Sequence, residues 1–285
     1  MNSKIVRLTL DYLWRTSVVL SAVLLLASGE AVAQGAGSAE AMLEQAADHF
    51  ANWRLAEAEE AYEQALRLNP SDPQVLAASA LYERFEGDYG EALRLQQQAV
   101  ELEPENPVHR FQLGITHKYM RNYEAATTAL QSAIALAPTL ISGRANLAIV
   151  TIARGNHIQA LRHLQVAEQL ARQQFEDNIP HWRLAQMAYA YSQLGRRQDV
   201  LRLFNELEQS EDPVSDVAWA MTYMAVGDYE EALGRLTTAI EEQEESDDFR
   251  QLLGDMVANT YSDPALDGPQ FKAVLDGIWA GTEPD

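Results

Sequence analysis

Residues 107–138 read PVHRFQLGITHKYMRNYEAATTALQSAIALAP. Two apolar stripes at helical spacing lie on either side of a short polar break at Arg121-Asn122. Phe111, Gly114, Ile115 and Tyr119 form the first stripe, and Tyr123, Ala126, Leu130 and Ala133 the second. Small residues at Gly114, Ala126 and Ala133 allow two helix backbones to approach closely, with Tyr123 and Leu130 filling the spaces between them. Pro138 stops the second helix, because it has no N–H to donate and biases the residue before it away from the helical region. One such pair is too small to bury its own apolar faces. It needs neighbours.

The neighbours recur at a fixed spacing. Thirty-four residues earlier stand Ala92, Ala99 and Pro104, behind the turn Gly87-Asp88-Tyr89. Another thirty-four back are Ala58, Tyr62, Ala65 and Pro70, and thirty-four forward come Gly155-Asn156-His157, Ala160, Leu164 and Ala167. This pattern resembles the tetratricopeptide repeat family, whose period is about 34 residues. The resemblance implies an all-α fold: a right-handed superhelical solenoid of about six helix pairs with a C-terminal helical cap. Repeats are expected near 39–72, 73–106, 107–140, 141–174, 181–212 and 213–244, within an array spanning 34–244. The last two are looser. Gly195, Val200 and Phe204 place the fifth, after about six extra residues around Gln173–Asn178. Trp219, Tyr223, Gly227-Asp228-Tyr229, Ala232, Leu236 and Ala239 place the sixth. Gln45-Ala46 stands where the family has Leu-Gly, and Val200 and Leu207 where it has Ala, so looser packing is expected in repeats one and five.

The termini fall outside this pattern. Lys4, Arg7 and Arg15 precede an apolar run from Thr16 to Ala27, and Ala31-Val32-Ala33 fits a small-residue cleavage site before Gln34. That is the layout of a secretory signal peptide over residues 1–33. The run is short for a membrane span, which needs about 20 apolar residues. The expected location is therefore periplasmic or secreted, with no stable membrane span after cleavage near Ala33/Gln34; an uncleaved N-terminal anchor is the alternative. Residues 245–285 carry two amphipathic segments, with Leu252, Leu253 and Met256 in the first and Val274, Leu275 and Trp279 in the second. They read as capping helices, since a solenoid needs its last apolar face covered.

Twenty-one Lys and Arg face 42 Asp and Glu, a net charge of −21. Such a balance argues against nucleic-acid binding, which needs basic residues to displace counterions from phosphate. The charge is uneven: net −11 over residues 34–106, +6 over 107–205 and −17 over 206–285. Two readings follow: solvated faces of differing sign, or a basic middle that receives an acidic partner or the acidic end of another copy.

Little points to chemistry. There is no cysteine, so disulfides, thiol catalysis and thiolate metal sites are excluded. No pair of the six histidines has the HExxH spacing of a helical zinc site, and the Walker A, GxGxxG and GxSxG patterns are missing. No enzyme, no cofactor and no metal are expected.

The resemblance places the first helix of each pair along a concave groove. On that basis the partner-binding residues are Leu81, Phe85, Phe111, Ile115, Lys118, Tyr119, Ile149, Trp182, Tyr189 and Met221. The competing reading packs some of them into the core. The family's carboxylate clamp maps to Leu43, Ala47, Ala78, Val108 and Gln112, none of which is charged, so that mode of binding is not expected. The function implied is a non-enzymatic scaffold or adaptor of the bacterial envelope that holds a protein or peptide in an apolar groove. A self-associating structural protein, hence a homo-oligomer, or a regulatory subunit of an envelope enzyme or export complex is the alternative.

Overall fold

The computed structural model describes residues 38–238 apart from 52–53, 177, 229, 233 and 236–237. The expected signal peptide and C-terminal cap, with Tyr229, Leu236 and Ala239, lie outside the described residues. Among these, all regular structure is helical and there is no strand. The chain divides into two compact units between Pro138 and Thr139.

The amino-terminal unit holds three helix pairs: α1 (Ala39–Ala51) with α2 (Leu55–Leu68), α3 (Pro73–Phe85) with α4 (Tyr89–Leu102), and α5 (Pro107–Tyr119) with α6 (Tyr123–Leu136). Local chemistry sets their ends. Pro73 and Pro107 open α3 and α5, where a missing N–H costs nothing. Asp72 accepts from the backbone N–H of Gln74 at 2.8 Å, and Asn106 from that of Val108 at 2.9 Å. Asp88 caps α4 in the same way, accepting from Glu91 at 2.9 Å. Between α3 and α4 the chain reverses through Gly87 at φ 85°, but between α5 and α6 the left-handed position is held by Arg121 at φ 58°.

Packing within pairs follows the spacing of small residues. Ala58, Ala92 and Ala126 are fully buried, as are Ala65, Ala99 and Ala133. The approach is close at Gly114, where an added Cβ would stand 2.7 Å from Leu130 Cγ and 3.2 Å from its backbone nitrogen. Leu130 is itself fully buried, a contribution of roughly 1.5–3 kcal/mol.

In the carboxy-terminal unit α7 (Ile141–Ala153) pairs with α8 (His157–Phe175), and α9 (His181–Gln193) with α10 (Arg197–Glu208), followed by α11 (Asp216–Val226). The extra residues before repeat five largely lengthen a helix: α8 has 19 residues where the other helices have 11 to 14. Ala171 and Ile179 on either side of its end are buried. The looser packing expected at Val200 and Leu207 is not found; they are 2 % and 1 % exposed. Both belong to one buried core with Leu184, Met187, Ala188 and Tyr191 of α9.

Candidate functional site

In the amino-terminal unit the residues expected to line a groove separate into two depths. Phe85, Phe111 and Tyr119 are half-buried, whereas Leu81, Ile115 and Lys118 are buried. Phe85 at the end of α3 meets Phe50 edge-on with centroids 4.7 Å apart, and Tyr119 at the end of α5 stacks on Tyr89 at 5.9 Å. Two cations converge on Tyr119. The Arg84 guanidinium carbon stands 5.8 Å from the ring centre and Lys118 Nζ 5.0 Å. Arg84 donates to the backbone oxygen of Gln112 at 3.5 Å, to its Oε1 at 3.0 Å and to Thr116 Oγ1 at 3.3 Å. Burial lowers the Arg84 pKa, against the opposing effect of Tyr119 and Tyr89. Burial, then repulsion from Arg84, brings the Lys118 ammonium down to about 7.

In the carboxy-terminal unit Ile149, Trp182 and Met221 are half-buried and Tyr189 is buried. Trp182 lies under the buried guanidinium of Arg183 at 4.5 Å, and Phe175 faces the same group at 5.6 Å. Burial draws the Arg183 pKa down to about 10. On α9, Trp182 Nε1, Arg183 Nε and Gln186 Oε1 are buried without a hydrogen bond.

A second polar assembly in this unit was not among the sequence-derived candidates. Glu168 of α8 accepts from Tyr191 Oη at 2.7 Å, Arg172 Nε at 3.0 Å and an Arg202 η-nitrogen at 3.1 Å. Arg172 also closes a two-pronged pair with Glu206, at 3.2 and 2.8 Å. Burial alone would raise the Glu168 pKa, but the bonds from Arg202, Tyr191 and Arg172 outweigh it and hold the carboxyl below its usual range. A pocket of about 500 Å³ opens here, lined by Gln165, Glu168, Gln169, Arg172, Gln173, Tyr191 and Asp199. The available signal was charge: Glu168 and Arg202, and Arg172 and Glu206, stand 34 residues apart with opposite sign.

The histidines are spread through the helices. His109 is fully buried with Nε2 3.0 Å from Glu103 Oε2, and burial lowers its pKa against the pull of Glu103. Among the described residues no group of three His, Cys, Asp or Glu side chains could hold a metal ion, and no helix is long and apolar enough to cross a membrane.

The helix pairs and the small-residue ladder define a class of repeat, and comparison gives it a name. Models of the tetratricopeptide repeat match residues 39–72 and 217–248. Among the described residues the chain is all-α, and two of its segments match the tetratricopeptide repeat. Among solved structures, a tetratricopeptide repeat protein from Parabacteroides merdae superposes with a TM-score of 0.57 at 17% identity, covering 89% of this chain and 98% of that one. A chain of the APC/C hetero-tetramer Cut9–Hcn1 gives 0.57 at 19% identity over 84% of this chain, which spans only 45% of that one. The MamA protein gives 0.47 at 17% identity, covering 62% of this chain and 97% of that one. No curated protein sequence matches the chain.

Proposed function

We propose that this chain is a non-enzymatic scaffold that binds other polypeptides through side chains on the first helices of its repeats. The observation that carries the reading is the half-burial of Phe85, Phe111 and Tyr119 on α3 and α5, beside ladder residues of the second helices that are fully closed. Aromatic rings left partly open dominate binding energy when a partner covers them, at about 2 kcal/mol or more for the best of them. Ile149, Trp182 and Met221 offer a similar half-buried set in the carboxy-terminal unit. The setting we propose is the bacterial envelope, on the strength of Lys4, Arg7, Arg15, the Thr16–Ala27 run and Ala31-Val32-Ala33.

Capture of partners from a periplasmic extract by the mature chain tests this. Phe111→Ala with Tyr119→Ala should weaken capture at least tenfold while the melting temperature stays near that of the wild type. Undiminished capture by a normally folded double variant would move the binding surface away from α5. An intact mass starting at Gln34 checks the export.

A further inference from the structure

Charge buried in a protein is ordinarily met by an opposite charge. Arg84 is not: its three hydrogen bonds all go to neutral oxygens of Gln112 and Thr116, and no carboxylate among the described residues pairs with it. Those bonds take up three of the five N–H groups of a guanidinium. Two are left, which is the number a bidentate carboxylate uses. Lys118, one repeat later, brings a second basic group to the same tyrosine ring, so two basic side chains meet at one spot. That spot is reachable, because Arg84, Phe85 and Tyr119 are all half-buried.

We propose that Arg84, with Lys118 behind it, receives the side-chain carboxylate of an acidic polypeptide segment laid against the Tyr119 ring. The proposal rests on the polypeptide-binding reading above and adds the partner's chemistry. Arg84 supplies the fork that orients the carboxylate, and Lys118 adds field in surroundings where charge is weakly screened. The flanking rings of Phe85 and Phe111 suit apolar residues on either side of the acid. None of the positions matched to the family's carboxylate clamp supplies a charge here, so the recognition is built from different residues.

Two decapeptides, N-acetylated, C-amidated and fluorescently labelled, test this against the full chain: one of alternating Leu and Glu, one of alternating Leu and Gln. Amidation leaves side chains as the only source of carboxylate. Fluorescence anisotropy should give at least tenfold tighter binding of the Leu-Glu peptide. Arg84→Gln should reduce that preference to twofold or less, Arg84→Lys should keep part of it, and Lys118→Met should cut it several-fold without lowering the melting temperature. Phe111→Ala should weaken both peptides together and leave their ratio intact. Equal binding of the two peptides, no binding of Leu-Glu, or a preference that survives in folded Arg84→Gln overturns the proposal. If both peptides bind equally and Phe111→Ala weakens both, the scaffold reading stands and this inference alone falls. If the preference depends on Arg84 while Phe111→Ala changes nothing, the carboxylate site stands and the apolar strip falls.

Discussion

Two clusters of charge sit on the same kind of scaffold and solve opposite problems. Around Glu168 in the carboxy-terminal unit, Arg172 and Arg202 close on a carboxylate, and Tyr191 completes it. Around Arg84 in the amino-terminal unit, the guanidinium closes on amide and hydroxyl oxygens and a second cation lies beside it. The first arrangement returns in Coulomb energy and hydrogen bonds what desolvation takes away. In the second, the fold itself disfavours the charge it holds. A repeat array is therefore not uniform in what its polar residues do: one cluster closes guanidinium groups on a carboxylate, and the other holds a guanidinium on neutral oxygens.

Breaking the balanced side should have the largest effect. Glu168→Ala leaves the buried Tyr191 hydroxyl without its acceptor and two guanidinium groups short of one. A fully buried pair would cost about 3–5 kcal/mol when halved. The Arg172 and Arg202 side chains are 39 % and 42 % exposed, and water screens part of the loss. About 2 kcal/mol is expected, a fall of roughly 4–8 °C in a thermal melt followed by circular dichroism. The pH dependence has a definite sign. The folded pKa of Glu168 is lowered, so its contribution is present above the unfolded carboxyl value of about 4.3. It is lost as pH falls through the folded value. The two melting curves should converge in acid, and a gap that persists there would deny the network this role.

Lys118→Met sharpens the unbalanced side and runs in the opposite direction. The folded ammonium has a pKa near 7 against an ordinary value of 10.5. Below 7 the fold carries the full cost of the charge, and the cost fades as pH rises towards 10.5. Replacing it by an apolar side chain of similar length should raise stability by about 1–2 kcal/mol at pH 7, with a difference that shrinks by pH 9.5. Loss of stability at pH 7 would mean that the ammonium is a structural tie.

Arg121→Gly should produce the smallest change. Arg121 is exposed, and its backbone is held in the left-handed region at φ 58°. Glycine, which the equivalent turn uses at Gly87, removes that strain for a gain of about 0.5–1 kcal/mol. A loss would point to a side-chain contact that outweighs the backbone term.

Much of the fold was legible because its determinants are local and periodic. Proline at the first helical position, Asp72, Asp88 and Asn106 as caps, and alanines at fixed intervals act through the chain's own geometry. Depth was harder to read. A first helix in a stacked array has neighbours on both sides, so apolar periodicity marks a stripe without saying which edge of it stays open. Leu81, Ile115 and Tyr189 share the spacing of Phe85, Phe111 and Trp182 yet are buried. Lys118 illustrates the same limit for charge: its stem follows the stripe inward and takes the ammonium with it. The length of α8 could not be fixed either, because the Gln-rich stretch before Phe175 contains no proline or glycine to end it. Long-range partners such as Tyr191 and Glu168 depend on how two helices cross, which no short window of sequence contains.

The alanine ladder has a consequence for how the chain can be edited. Ala65 and Ala99 have the same burial and close the same kind of helix pair. A cut after Ala65 rejoined to Val100 would remove 34 residues while the new neighbours meet through surfaces of a type the array already uses. In the amino-terminal unit, chain length is therefore adjustable in whole steps, and the number of first helices follows it one for one. The longer α8 denies that freedom to the carboxy-terminal unit, where a 34-residue excision would bring together surfaces shaped for different neighbours.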